Sequence, residues 1–421
     1  MVRSLLRKVV RVEDTEIAAL LWGCAAFFCL LCGYFIIRPI RDTFGITQGV
    51  RSLPRLFGLT FVVMLVASPI FAALVARYPR RRLVPWVLHF FALNLVVFFA
   101  LLSEIPPGPR IHVSNFFFSW VSVYNLFVVS VTWSLMVDLF RPEQGRRLFG
   151  FMIAGGTLGG VCGAFLTERV VVHIGSARLL LLSALLLELE VFCLWRLRRQ
   201  AEGHVVEADE TLTRGGLLEG VRLLLRSRML LGICAYMLLT TVCASAAYYE
   251  RGAIVAAAVA SEEARTRLFA MMDVYVNGLT LLFQAFAVSR VMAWIGVGWT
   301  LCLLPMMYAL GFLALGIEPV LFVIIGFEVL RRSTGFGFAT PTKQVLFTLV
   351  TPEEKYKSKN FIDTAVWRGG DLLGVWVARL LEQARGLSAV AFAVLPLTAL
   401  WFLVGRRLGR EERRMRAARE P

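Results

Sequence analysis

The chain has 421 residues, of which 58% are hydrophobic and only 18% charged, with a formal charge of +16. A mean hydropathy of +0.70 excludes an ordinary soluble domain of this length, whose surface would need more polar side chains. The basic residues stand in short clusters between apolar runs, so there is no basic domain to dock on a duplex and nucleic acid is not an expected partner.

Apolar runs of about 20 residues, each enough for a hydrocarbon core of about 30 Å, recur along the sequence. They predict spans near 17–40, 56–76, 83–103, 114–139, 148–172 and 178–197, then near 229–250, 268–292, 298–316, 320–349, 360–383 and 387–405. Residues 1–197 are thus expected to form one six-helix bundle and 229–405 a second. A cytoplasmic linker (198–228) joins them, and a basic tail (406–421) follows. The first apolar run passes into polar residues without a small-residue cleavage site, so it is read as a retained helix. Leu217–Arg228 has apolar residues at helical spacing with arginines opposite, the pattern of a helix lying on the membrane surface. Most lysines and arginines fall in the N-terminal tail, the even-to-odd connections and the C-terminal tail, which predicts cytoplasmic termini in a cell (inner) membrane.

Charged side chains inside spans are costly and normally face a cavity or a partner. The first span ends in Arg38, Pro39, Arg41 and Asp42; the two arginines are three apart and can share a face, with Asp42 as counter-ion. In the eighth span Asp273, Asn277 and Gln284 form a polar stripe at helical spacing. The tenth span carries Glu328 three and four residues before Arg331 and Arg332, the spacing of a structural ion pair. Glycines and Pro341 then lead to Lys343 and Gln344, and a helix broken there would line a cavity in which Lys343 meets an anion. The eleventh span holds Asp363, Arg368 and Asp371, either a structural charge network or a place for a proton-coupling carboxylate. In the fifth span Gly155, Gly159 and Gly163 recur at every fourth position and predict close helix packing. Phe116, Phe117, Phe118 and Trp120 are read as lipid contacts.

The eight cysteines all lie in apolar runs with no CxxC pair or zinc spacing, so reduced buried thiols are expected, with no metal and no disulfide framework. No HExxH, Walker-type or GxSxG motif occurs, which argues against an enzyme and against any cofactor.

Six plus six spans around a polar loop resemble the major facilitator superfamily, and RYPRRR at 77–82 is a degraded likeness of its signature loop. Three patches resemble the ATP/ADP translocase (nucleotide exchange) family and its bacterial relatives: IIRPIRDTFG at the end of the first span, Trp133–Phe151, and Pro341–Thr364. This chain has Arg41 where translocases typically carry lysine, and Gln344 where they carry glutamate after the tenth-helix lysine. In the fourth span no carboxylate precedes Asp138; Asn125 is the nearest polar residue. The resemblance implies an all-α membrane protein of two six-helix bundles and a secondary transporter, an antiporter for a nucleotide or other phosphate compound. Arg38, Arg41, Lys343, Gln344 and Asn277 would then bind substrate. Asp42, Asp138, Asp273, Asp363, Arg368 and Asp371 would form the coupling or charge network. Two other readings stand beside it: proton-coupled efflux of an amphipathic solute, and a non-transporting membrane sensor or assembly factor. The expected partners are a small anionic substrate, the lipid bilayer and protons; cargo and oligomeric state are not encoded in any motif.

Overall fold

The computed structural model describes residues 16–201, 227–351, 358 and 361–417. These are helical nearly throughout, and no β-strand occurs among them. The helices are α1 (Ile17–Ile46), α2 (Leu53–Arg77), α3 (Arg80–Glu104), α4 (Pro107–Tyr124), α5 (Ser130–Leu139), α6 (Pro142–Ile174) and α7 (Ser176–Ala201). They are followed by α8 (Arg228–Ala258), α9 (Glu262–Leu282), α10 (Val288–Ile317), α11 (Leu321–Thr334), α12 (Thr340–Phe347), α13 (Trp367–Arg385) and α14 (Leu387–Ala417). Eight helical stretches among the described residues are long and apolar enough to cross a membrane. Leu59, Val62, Leu65, Val66 and Ile70 on α2 and Phe322 on α11 are all exposed, a surface suited to lipid rather than water. The protein is a multi-pass membrane protein. The surface helix expected at Leu217–Arg228 lies almost wholly outside the described residues.

Local chemistry explains where the helices start, bend and end. Pro142 opens α6, and the Gln144 side chain accepts from the Arg141 amide at 3.0 Å, satisfying one of the donors left free at a helix start. Inside α10, Gly296 takes φ +78° and ψ 167°, a conformation that suits glycine, and divides that stretch where the sequence predicts a turn between two spans. Among the described residues four five-residue π-helical turns interrupt the helices: Asn125–Val129, Phe283–Ala287, Gly335–Ala339 and Ile362–Val366.

The third of these corrects the expectation of a broken tenth span. The Thr340 amide reaches back five residues to the Gly335 carbonyl, and α12 continues directly. The wide turn absorbs the donor that Pro341 lacks, so the chain stays helical through the glycines instead of unwinding.

Packing gathers the described residues into two compact units. The first holds 16–48, 62–201 and 260–277; the second holds 49–61, 227–259 and residues from 278 onward. In the first unit the glycine ladder of α6 lies directly on α1. A Cβ added at Gly155 would sit 3.1 Å from the Cys24 carbonyl oxygen, and one at Gly159 or Gly163 would lie 2.9 Å from the carbonyl carbon of Phe28 or Cys32. Only the absence of a side chain permits that approach. In the second unit Gly374 of α13 meets α8 in the same way, its absent Cβ being 2.6 Å from the Val242 carbonyl oxygen.

The aromatic run on α4 departs from the sequence reading. Phe116 is exposed, but Phe117, Phe118 and Trp120 are buried, with Phe117 stacked on Trp120 at 5.7 Å and edge-on to Phe98 at 5.0 Å. One helix can turn only part of such a run outward, and here the neighbouring α3 supplies rings for the rest.

Candidate functional site

Within the first unit, the end of α1 carries its cations through a helix that includes Pro39. Arg38 Nη1 lies 3.6 Å from Asp273 Oδ1 of α9, and the Asp273 side chain is only 3% exposed. The Arg41 Nε donates to the Phe118 carbonyl at 3.0 Å, its guanidinium carbon sits 4.1 Å from the Phe118 ring centroid, and its Nη1 is 3.7 Å from Asp42 Oδ1. The Arg38 guanidinium carbon lies 5.5 Å from the Phe35 ring centroid, so both guanidiniums stand over aromatic faces beside a carboxylate, a setting in which a cation–π contact and an ion pair act together. Asp42 is buried and is the counter-ion that the sequence placed there.

Further contacts fix the first part of α9 to this unit. Thr43 and Thr266 share a hydrogen bond of 2.8 Å, Arg267 reaches Glu168 at 3.0 Å, and Arg110 lies 3.5 Å from Glu262. Asn277 is buried and donates to the Asp273 carbonyl at 2.9 Å, with its carboxamide carbon 3.6 Å from where a Gly160 Cβ would stand. Asp138 does not join these groups; it pairs with Arg80 at the base of α3.

The second unit holds the other expected residues. Lys343 is half-buried on α12 and its Nζ donates to the Met237 sulfur at 3.3 Å, while the adjoining Gln344 is exposed. Asp371 accepts from Ser245 Oγ at 3.0 Å and lies 3.8 Å from Arg368. The side chain of Asp363 lies outside the described residues. Gln284 falls in the second π turn, where its side chain is exposed and donates to the Phe336 carbonyl at 3.3 Å. The widened turn rotates it away from the stripe begun by Asp273 and Asn277, so the three amino acids do not act as one face.

The Glu328 pair is present and larger than spacing alone suggested. Arg331 donates to Glu328 Oε1 through Nε at 2.8 Å and Nη2 at 2.5 Å, and through Nη1 to the Tyr308 hydroxyl at 2.8 Å. Arg251 of α8 approaches Glu328 Oε2 at 3.7 Å, and all four side chains are buried. Arg51 and Tyr249 both meet Glu382, at 3.3 and 3.4 Å.

Sequence reasoning passed over Glu190, Glu250 and Arg251, each fully or almost fully buried. A charged letter in the middle of an apolar run was the available mark for all three. A cavity of about 510 Å³ on the first unit, lined by Val84, Leu88, Leu135, Phe192, Trp195 and Arg198 among others, includes none of the expected site residues. All eight cysteines are free thiols.

No family model and no curated protein matches the chain. Solved structures do. A bacterial homologue of the human lysosomal transporter Spinster, inward-facing and unoccupied, is 14% identical over 95% of this chain and 99% of its own, with a TM-score of 0.58. A bacterial homologue of the iron transporter ferroportin, inward-facing, is 14% identical over 94% and 98%, at 0.65. A variant of the nucleoside transporter NupG is 11% identical over 93% and 99%, at 0.64. At such identities the similarity is one of fold: the chain has an all-α membrane fold of the kind these structures share, the major facilitator fold.

Proposed function

We propose that the chain is a secondary transporter that moves a small organic anion by alternating access, with a nucleotide or other phosphate compound as the first candidate cargo. The observation that carries this is the pair Arg38 and Arg41, held half-buried at the end of an apolar helix against aromatic rings and carboxylates. Cations set that deep need compensation, and carboxylates that pair with them can be exchanged for an anionic ligand. Lys343 is the corresponding cation of the second unit. Asn277 and Gln344 would orient the cargo, and Asp273, Asp363, Arg368 and Asp371 would rebalance charge. The fold supports this, because the solved structures that share it are of transporters. Twelve spans in two bundles separated by residues 198–228, with cytoplasmic termini in a cell membrane, complete the proposal; the likeness of three sequence patches to ATP/ADP translocases supports the choice of nucleotide.

Uptake into proteoliposomes tests it. Arg41→Gln and Lys343→Met are each expected to abolish uptake of a radiolabelled nucleotide while the protein remains in the membrane at normal level; normal uptake by both would overturn the assignment. Thermal shift of purified protein with nucleotides, phosphorylated sugars and hydrophobic cations separates anion transport from efflux of an amphipathic solute, since a ligand that binds the folded state raises its stability. Stabilisation by hydrophobic cations alone would favour efflux.

A further inference from the structure

Glu190 lies on α7 in the interior of the first unit, with no surface exposed. One carboxyl oxygen accepts from Thr132 Oγ1 of α5 at 2.6 Å. Its other oxygen, Oε2, has no hydrogen-bond partner among the described residues; the hydroxyl of Tyr124, an equally buried residue of α4, has Ser183 of α7 as a polar neighbour. Tyr124 stands close enough to Glu190 to interact with it electrostatically, and stacks at 6.4 Å on Tyr34 of α1. The titratable groups facing Glu190 are Tyr124, Cys29 of α1 and Cys193 of its own helix. No arginine, lysine or histidine lies against it among the described residues.

An ion in that position would carry an unbalanced charge in an apolar interior, at a cost of several kcal/mol. A proton removes the charge and also turns the partnerless Oε2 into a hydroxyl. A merely structural polar contact would be expected to satisfy both oxygens; this cluster leaves a donor position open on one of them.

We infer that Glu190, supported by Thr132 and Tyr124, is a proton-binding site inside the first helical unit. The ligand is a proton, taken up by Oε2 of the carboxylate. Resting on the transporter reading above, this site gives the carrier a driving ion from a residue outside the charged groups of α1, α9 and α13. Protonated, the carboxyl is a neutral member of the core. Ionised, it pulls on the contact between α5 and α7, so occupancy by the proton biases the packing of the unit.

Infrared difference spectroscopy of the purified full chain, titrated between about pH 5 and about pH 9, the range over which buried carboxyl groups have been found to titrate, tests proton binding without any cargo. A carbonyl band of a protonated carboxyl is expected to appear at low pH, to be missing from Glu190→Gln, and to move in Thr132→Ala, which changes only the hydrogen bond to the first oxygen. A band that is present at every pH, or one that persists in Glu190→Gln, overturns the inference. Uptake assays read the other half separately: if the band titrates while no variant of Arg41 or Lys343 affects transport, the proton site stands and the anion reading falls. If both hold, uptake by Glu190→Gln is expected to lose its dependence on a pH gradient and to retain exchange.

Discussion

The contact between Arg38 and Asp273 can be isolated by a double-mutant cycle. At 3.6 Å, two unit charges attract by about 5 kcal/mol at an effective dielectric of about 20. Desolvation of Asp273, whose side chain is 3% exposed, offsets part of this, and the 19% exposure of Arg38 admits solvent that weakens it further. A coupling of about 2 kcal/mol therefore remains, within the range measured for residues in direct contact. The variants are Arg38→Gln, Asp273→Asn and the pair together, each unfolded by heat and by denaturant in detergent. Either single change leaves one charge without this partner in a poorly hydrated place. The double variant is expected to be more stable than the two single effects added together. A coupling below about 0.5 kcal/mol would refute the idea that this ion pair ties α9 to α1, and with it the picture of a charge that an anionic ligand displaces.

Other outcomes follow from the same geometry. Gly159→Ala, whose Cβ would lie 2.9 Å from the Phe28 carbonyl carbon, is expected to destabilise by about 1–3 kcal/mol in thermal unfolding. Gly150→Ala, on the same helix with nothing within 4 Å, is expected to gain up to about 1 kcal/mol from helix propensity; equal behaviour of the two would sink the ladder. Thr43→Cys with Thr266→Cys, replacing hydroxyls 2.8 Å apart, is expected to cross-link under mild oxidation, seen as a joined peptide by mass spectrometry, and to stop uptake until reduced. Glu328→Gln removes the carboxylate from among Arg251 and Arg331 and is expected to cost about 3–5 kcal/mol. The exposed Glu318→Gln is its control, expected within about 0.5 kcal/mol of the parent.

Much of this was legible before any coordinates. Apolar runs at membrane length gave the helices, because a spanning segment must satisfy its backbone internally and so writes itself as one long hydrophobic stretch. The four-residue spacing of Gly155, Gly159 and Gly163 likewise announced its packing, and Asp42 was found beside Arg41. Other features depend on which way a helix is turned, and sequence alone does not set that. Phe117 packs on Phe98 of α3 and Phe118 under Arg41 of α1 where lipid was expected, and Gln284 swings off its stripe because Phe283–Ala287 is a π turn. The partner of Arg38 is 235 positions away at Asp273, a pairing that no local period can reveal. Glu190 was hidden for the opposite reason: it and Glu188 stand in so long an apolar run that two acids barely disturb a hydropathy average.

The seam between α1 and α6 is close but not bare: Gly155, Gly159 and Gly163 lie on the α1 backbone, while Leu31 and Phe35 of α1 seat at Gly156 and Gly160, and Met152 of α6 at Gly23. Where large side chains interlock all along a seam, two helices resist movement along their axes; here these few side chains are what must give for lengthwise creep. A creep of one residue is about 1.5 Å. Arg38 and Arg41 ride on the creeping rod, so the same motion would draw Arg41 along the ring of Phe118 and Arg38 past Asp273, while Asp42 travels with them. A joint that glides in this manner lets a small axial displacement re-aim two charges at once.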